Sequence, residues 1–161
     1  MQNMTHRETP GARAYSTQIT HRTGPHIGRI EDYVRALQSI DMSSCERDML
    51  RAHAKAPGRE ITGNQLANTI GHFGSRIGNR KYGKLAQKIA LAAELPMCKS
   101  DVSDYLAAVF TLADGEQQNS EDWHWVMHDE VVEALHVHDG TSFWMKSVRT
   151  SCEKPGLRSA T

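Results

Sequence analysis

The sequence of 161 residues predicts a mainly helical α+β domain, and two observations support this class. Apolar residues recur at helical spacing over much of residues 30–95. Beyond residue 104 the spacing changes. Trp123, Trp125 and Met127 occupy every second position, with His124 and Val126 between them, as in a half-buried strand. The order helix, short strand, helix, helix, β-hairpin, short helix predicts a winged helix-turn-helix-like domain. A helical bundle with an appended hairpin is the alternative.

The first two helices follow from apolar spacing and from the polar residues between them. Residues 30–40 are predicted to be helical because four apolar residues fall on one side: Tyr33, Val34, Leu37 and Ile40. Residues 41–44 interrupt that helix and offer caps for a second one over residues 45–54. Residues 56–59 contain a Pro-Gly pair and predict a turn.

A helix-turn-helix is predicted after a short strand at residues 59–61. Thr62 and Gln65 have the spacing of a capping box, so a helix is expected to begin there and to end at Gly71. After a turn at residues 72–74, a second helix is expected to continue to residue 95. Gly78 and Gly83 are poor helix formers, so the early part of this segment is expected to be a loop, with Asn79 capping the helix.

The C-terminal part predicts a hairpin and a short helix. Residues 105–112 and 123–127 are the expected strands, joined by a polar and acidic loop of about nine residues. Asp129 is a suitable cap for a helix whose core positions are Val131, Val132 and Leu135. Trp123 and Trp125, together with Trp144, are interpreted as core residues rather than as a platform for stacking bases.

The expected domain covers residues 29–145, between a disordered N-terminal tail (1–28) and a C-terminal tail (146–161). No apolar run approaches the roughly 20 residues that span a bilayer, so no membrane association is expected. The three cysteines form no paired motif, which predicts reduced thiols in a cytoplasmic protein. An organelle transit peptide is the alternative interpretation of the basic N-terminal segment.

Charge is divided unevenly along the chain. Residues 47–99 contain ten basic and three acidic residues, whereas residues 101–140 contain ten acidic residues and neither Lys nor Arg. A basic helical unit is typical of a module that binds phosphate groups, so residues 62–88 predict a contact with double-stranded DNA. The candidate DNA-binding residues are Arg59, Asn64, Ser75, Arg76, Asn79, Arg80, Lys81 and Lys84. The alternative is an ordinary solvated helix face.

The acidic half (residues 101–139) offers a second hypothesis, in which the chain is a protein-interaction module. Its candidate partner-binding residues are Asp114, Glu116, Glu121 and Asp122. The histidines of residues 124–138 lack a standard metal-ligand spacing, and no phosphate-binding loop, nucleophile elbow or H-E-x-x-H motif occurs. No metal, no cofactor and no enzymatic activity are therefore expected.

Seven short segments carry a resemblance to a known module: residues 47–53, 56–59, 61–62, 65–67, 79–85, 123–127 and 130–135. Together they resemble a bacterial module often found before HNH endonuclease domains. The resemblance implies a DNA-recognition or targeting role in restriction-like or mobile-element proteins. Nothing after residue 135 resembles the nuclease itself, so no cleavage activity is implied. A free module of this kind is also expected to act as a regulator, dimeric on a palindromic site, or as a phage-type inhibitor of a host defence complex.

Overall fold

The computed structural model describes residues 24–97, 104–118 and 122–145. This part of the chain contains six α-helices and three β-strands, which confirms the mainly helical α+β class. In chain order they are α1 (Ile30–Ser39), α2 (Ser44–Lys55), β1 (Glu60–Thr62), α3 (Gly63–Thr69), α4 (Ser75–Ala92), α5 (Asp104–Val109), β2 (Ala113–Gln118), β3 (Asp122–Met127) and α6 (Asp129–Met145).

Local capping fixes where the early helices begin and end. The N-cap residue of α2 is Ser43, one of the four residues that the sequence offers as caps, and that of α3 is Thr62, as the sequence predicts. Thr62 and Gln65 satisfy each other's backbone amides at 3.2 and 2.8 Å, which is a complete capping box. At the other end of α3, Gly71 adopts a φ of 73° and its amide bonds to a helix carbonyl. The predicted α3 boundaries are confirmed.

The three strands form an antiparallel sheet in the order β1-β3-β2. Trp125 in the central strand β3 is paired with Ile61 of β1 and with Gly115 of β2. The predicted hairpin is partly wrong, because residues 104–109 are helical and β2 lies inside the expected loop. The connection between β2 and β3 is residues 119–121, which lie outside the described part. The buried Ala107 and Ala108 explain the difference, since alanine favours a helix and allows α5 to pack on α4.

Helix α4 is continuous from Ser75 to Ala92, so the predicted loop at its beginning is wrong. The reason is the close approach of α3 to α4 at two glycines. A Cβ atom added at Gly78 would lie 1.8 Å from the carbonyl oxygen of Gly63. Gly78 is therefore present for packing between the helices, and this contact outweighs its low helix propensity of about 1 kcal/mol relative to alanine.

The helices and the sheet share one core, which includes the buried side chains of Tyr33, Tyr82 and Trp125. Residues 24–28 belong to this domain, because His26 is buried and the Gly28 amide donates to the Tyr33 hydroxyl at 3.1 Å. Part of the predicted N-terminal tail therefore contacts the domain that is predicted to begin at residue 29. The tail predictions for residues 1–23 and 146–161 lie outside the described part of the chain.

Cys45, the second residue of α2, forms a disulfide, and the cysteine that pairs with it lies outside the described residues. The expectation of reduced thiols is therefore wrong at this position. Stable disulfides belong to oxidising environments, so the cysteines no longer support the cytoplasmic prediction. None of the helices in the described part of the chain combines the length and the apolar character that a bilayer crossing requires.

Candidate nucleic-acid interface

Four of the predicted DNA-binding residues share one exposed face of α4. Successive residues of an α-helix are rotated by about 100°, so Arg76, Arg80, Lys84 and Lys81 fall within an arc of about 140°. All four are exposed. We call these four residues the basic face. The opposite side of α4 packs into the core through residues such as Tyr82, Leu85 and Ile89.

The basic face has no acidic residue near it in the sequence. No Asp or Glu occurs between Glu60 and Glu94, a segment that includes all of α3 and α4. Within the described residues, none of the salt bridges involves Arg76, Arg80 or Lys81. Their charges therefore face solvent, and Lys84 on the same face also has an interaction within the molecule.

Lys88 continues the row of cations along α4 but is used inside the protein. Its ammonium lies 2.8 Å from Oε1 of Glu46 and donates to the Asp41 carbonyl at 3.1 Å. Burial opposes ionisation of Glu46, but the hydrogen bond from Lys88 and the amide of Ser43 hold the pKa of this carboxyl below its ordinary value. The basic face consequently ends at Lys84.

Two other predicted residues of the same helix lie on its inward side. Asn79 is half-buried, and its Oδ1 accepts a hydrogen bond from Nε1 of Trp125 at 3.0 Å. Ser75 is half-buried where α4 crosses α3, and its carbonyl oxygen would be 2.7 Å from a Cβ atom added at Gly63. Ser75 and Asn79 therefore contribute to the packing of α4 rather than to its exposed face.

A buried chain of hydrogen bonds holds α4 to α2 and to the sheet. His53 of α2 is fully enclosed, with Nδ1 2.6 Å from the Tyr82 hydroxyl and Nε2 2.8 Å from the Trp125 carbonyl oxygen. A carbonyl only accepts, so Nε2 carries the proton and Nδ1 accepts from Tyr82. Burial lowers the pKa of His53 to about 4, and burial also raises the pKa of Tyr82. Both groups are therefore neutral near pH 7.

The turn between α3 and α4 has a defined shape and an exposed aromatic side chain. Oδ1 of Asn64, which is exposed, accepts the amide of Gly74 at 3.0 Å, and Gly74 has a φ of 98°. Phe73 lies between these fixed points, and 83% of it is exposed. Ile77, in the first turn of α4, is 40% exposed. The sequence analysis does not single out these two residues, although a helical projection of α4 would have placed Ile77 among the cations.

Arg59 precedes β1 and lies outside the helix-turn-helix segment. Its guanidinium is paired with the carboxylate of Asp129. The two residues border a cleft of about 600 Å³ between the end of α2 and the beginning of α6, which also contains Asp114 and His128. The predicted phosphate contact of Arg59 thus competes with an ion pair inside the protein.

The acidic loop expected for partner binding is not formed as predicted. Asp114 belongs to β2 and is only 4% exposed, with Oδ2 3.9 Å from Nδ1 of His128. Glu116 and Asp122 are strand residues, and Glu121 lies outside the described part of the chain. The prediction that Asp114 is exposed for partner binding is therefore corrected, because a buried carboxylate does not present its charge to a partner.

Among the described residues, no group of three or more His, Cys, Asp or Glu side chains is placed to hold a metal ion. His124 lies beside Glu60, on the other face of β3 from the stacked rings of Trp123 and Trp125. Comparison of the chain with known protein families, with curated proteins and with solved structures finds no match.

Proposed function

We propose that this protein is a double-stranded DNA-binding module without catalytic activity, which places α4 against the phosphate backbone and a groove of the duplex. The observation that carries the proposal is the basic face: Arg76, Arg80, Lys81 and Lys84 are exposed on one side of a helix that contains no acidic residue. Such an arrangement attracts a polyanion, and within the described residues no salt bridge neutralises Arg76, Arg80 or Lys81.

The topology supports a winged helix-turn-helix mode of binding. Helix α2, strand β1, helices α3 and α4, and the β2–β3 hairpin follow one another in the order of that motif, and the sheet order β1-β3-β2 agrees with it. In this mode α3 supports the second helix, whose N-terminal residues meet the base edges. The insertion of α5 before the hairpin is the departure from the minimal motif.

The beginning of α4 adds a second attraction for phosphate. Gly74 is the N-cap residue, and α4 has no side-chain cap hydrogen bond among the described residues. These amides and the helix dipole favour a negative group, and the adjacent Arg76 supplies full positive charge. Phosphate contacts of this kind position a protein on DNA but carry no sequence information.

Salt dependence gives a quantitative test. Each neutralised phosphate contributes about −0.9 to the slope of log K against log salt, so four contacts predict a slope of about −3.6. Between about 50 and about 200 mM salt, the affinity for a duplex of mixed sequence is expected to fall about 150-fold. Fluorescence anisotropy with a labelled duplex measures this change directly.

A matched pair of triple variants assigns the slope to residues. The test variant is Arg76→Gln/Arg80→Gln/Lys81→Gln, and the control is Arg29→Gln/Arg35→Gln/Arg47→Gln, which removes three exposed charges elsewhere. The test variant is expected to lose only about 4-fold in affinity over the same salt range, because about one contact remains. The control is expected to retain most of the original slope. Equal slopes for the two variants would refute the assignment.

The resemblance to the module that accompanies HNH endonucleases supports DNA targeting as the biological setting of this activity. A homodimer on a palindromic site, and a protein partner for the acidic half, stay predictions. The burial of Asp114 favours DNA as the partner over the acidic-half hypothesis.

A further inference from the structure

Phe73 is held outward by a turn that is fixed on both sides. The amides of Gly71 and His72 bond to carbonyls of α3 at 3.1 and 2.9 Å, and Asn64 holds the amide of Gly74. The ring has 83% of its surface exposed in this ordered turn. A phenylalanine usually gains stability by burial, so its display on a fixed turn has no benefit for folding.

Exposed apolar residues that occur singly need no explanation, but Phe73 is accompanied by Ile77. Ile77 is exposed in the first turn of α4, and its position on the helix falls among those of Arg76, Arg80 and Lys81. The segment between residues 60 and 94 has no acidic residue. Ile77 thus lies among the cations of the basic face, and Phe73 is exposed in the turn that leads into the same helix, so the partner that fits them presents apolar groups close to negative ones.

The major groove of DNA has this combination of groups. Thymine presents a C5-methyl group at the floor of the groove, with phosphates on both sides, and phenylalanine is among the side chains that contact this methyl group. We propose that Phe73 and Ile77 contact thymine methyl groups and give the protein a preference for thymine-containing sites. The inference rests on the proposed DNA-binding function and names the base feature that the site recognises.

Replacing thymine by deoxyuridine tests the inference, since it removes only the methyl group and leaves the phosphate charge unchanged. The two probes are a duplex of alternating dA and dT and the same duplex with deoxyuridine at every thymine position. Loss of one buried methyl contact corresponds to about a four-fold loss of affinity. The wild-type protein is expected to bind the deoxyuridine duplex at least about four-fold more weakly at the same salt concentration.

Three variants assign this preference to the turn. Phe73→Ala, at an exposed position, is expected to fold normally, to lose most of the preference and to keep the wild-type salt slope. Phe73→Leu is expected to retain part of the preference because the side chain stays apolar. Leu91→Ala is the matched control, since Leu91 is a 70% exposed apolar residue near the other end of α4. This control is expected to keep the full preference.

Two results would overturn the inference while leaving DNA binding intact. One is equal affinity of the wild-type protein for both duplexes. The other is full retention of the preference by Phe73→Ala, which would show that DNA shape rather than the methyl contact is sensed. Absence of binding to both duplexes at low salt would instead overturn the proposed function, and the inference with it.

Discussion

Protonation of His53 is expected to make the stability of the protein depend on pH between about 6.5 and 4. The side chain is fully buried between the Tyr82 hydroxyl and the Trp125 carbonyl, and burial lowers its pKa to about 4. In the unfolded chain the pKa of a histidine is close to 6.5. Between these values the unfolded chain binds a proton that the folded protein excludes, so unfolding becomes easier as the pH falls.

The size of the effect follows from the two pKa values. Above pH 6.5 His53 is neutral in both states and contributes no pH dependence. Below that value the free energy of unfolding is expected to fall by about 1.4 kcal/mol per pH unit, and by roughly 3 kcal/mol in all when pH 4 is reached. Below pH 4 both states bind the proton, so this contribution becomes constant. For a small domain with a stability of about 5–15 kcal/mol, this is a large change.

The measurement compares the wild-type protein with His53→Gln in urea unfolding, followed by tryptophan fluorescence at several pH values. Glutamine has a donor and an acceptor for the Trp125 carbonyl and the Tyr82 hydroxyl, but it does not titrate. The variant is expected to be less stable at pH 7 and to have a shallower pH dependence below 6.5. The difference between the two slopes isolates His53 from the other titrating groups. Identical slopes would refute the buried neutral state of this histidine.

Three further predictions concern stability. Gly78→Ala is expected to destabilise the protein by more than about 2 kcal/mol in urea unfolding, because its Cβ atom would collide with the carbonyl of Gly63; a stable variant would refute the close approach. Asn79→Ala is expected to cost about 1–3 kcal/mol, because it leaves Nε1 of Trp125 without its partner, while the salt slope of DNA binding stays unchanged. Ser43→Ala is expected to lower the melting temperature, since an N-cap contributes about 1 kcal/mol; an unchanged melting temperature would contradict the cap.

Features determined by neighbouring residues are the ones that the sequence predicts well. The cap at Thr62 depends on a residue three positions away and is found as expected, and the cap of α2 falls at Ser43, within the four residues that the sequence offers for it. The strand β2 could not be predicted in this way. Its sequence contains Asp114 and Gly115 and few residues that favour strands, and it is extended because it pairs with β3. Only a contact between distant parts of the chain distinguishes it from a loop.

The incorrect prediction of a loop before Asn79 has its origin in one glycine. With Gly78 interpreted as the end of a loop, Asn79 becomes a cap at the surface and a candidate for contacting DNA. In a continuous helix from Ser75, the rotation of about 100° per residue places Asn79 about 60° from Arg76 and about 100° from Arg80, toward the packed side. The signal that Gly78 packs against Gly63 is not local, since it requires the crossing of α3 and α4.

The outward direction of the basic face is itself fixed by buried polar contacts. On the packed side of α4, Asn79 accepts a hydrogen bond from the indole of Trp125, and the Tyr82 hydroxyl is hydrogen-bonded to His53. A rotation of α4 by one residue would break both bonds, and each unsatisfied group would cost about 1–3 kcal/mol. Apolar packing alone tolerates small rotations better, because it has no directional bonds. The same contacts that stabilise the fold therefore determine which side of α4, and which charges, the protein presents to solvent and, under the proposed function, to DNA.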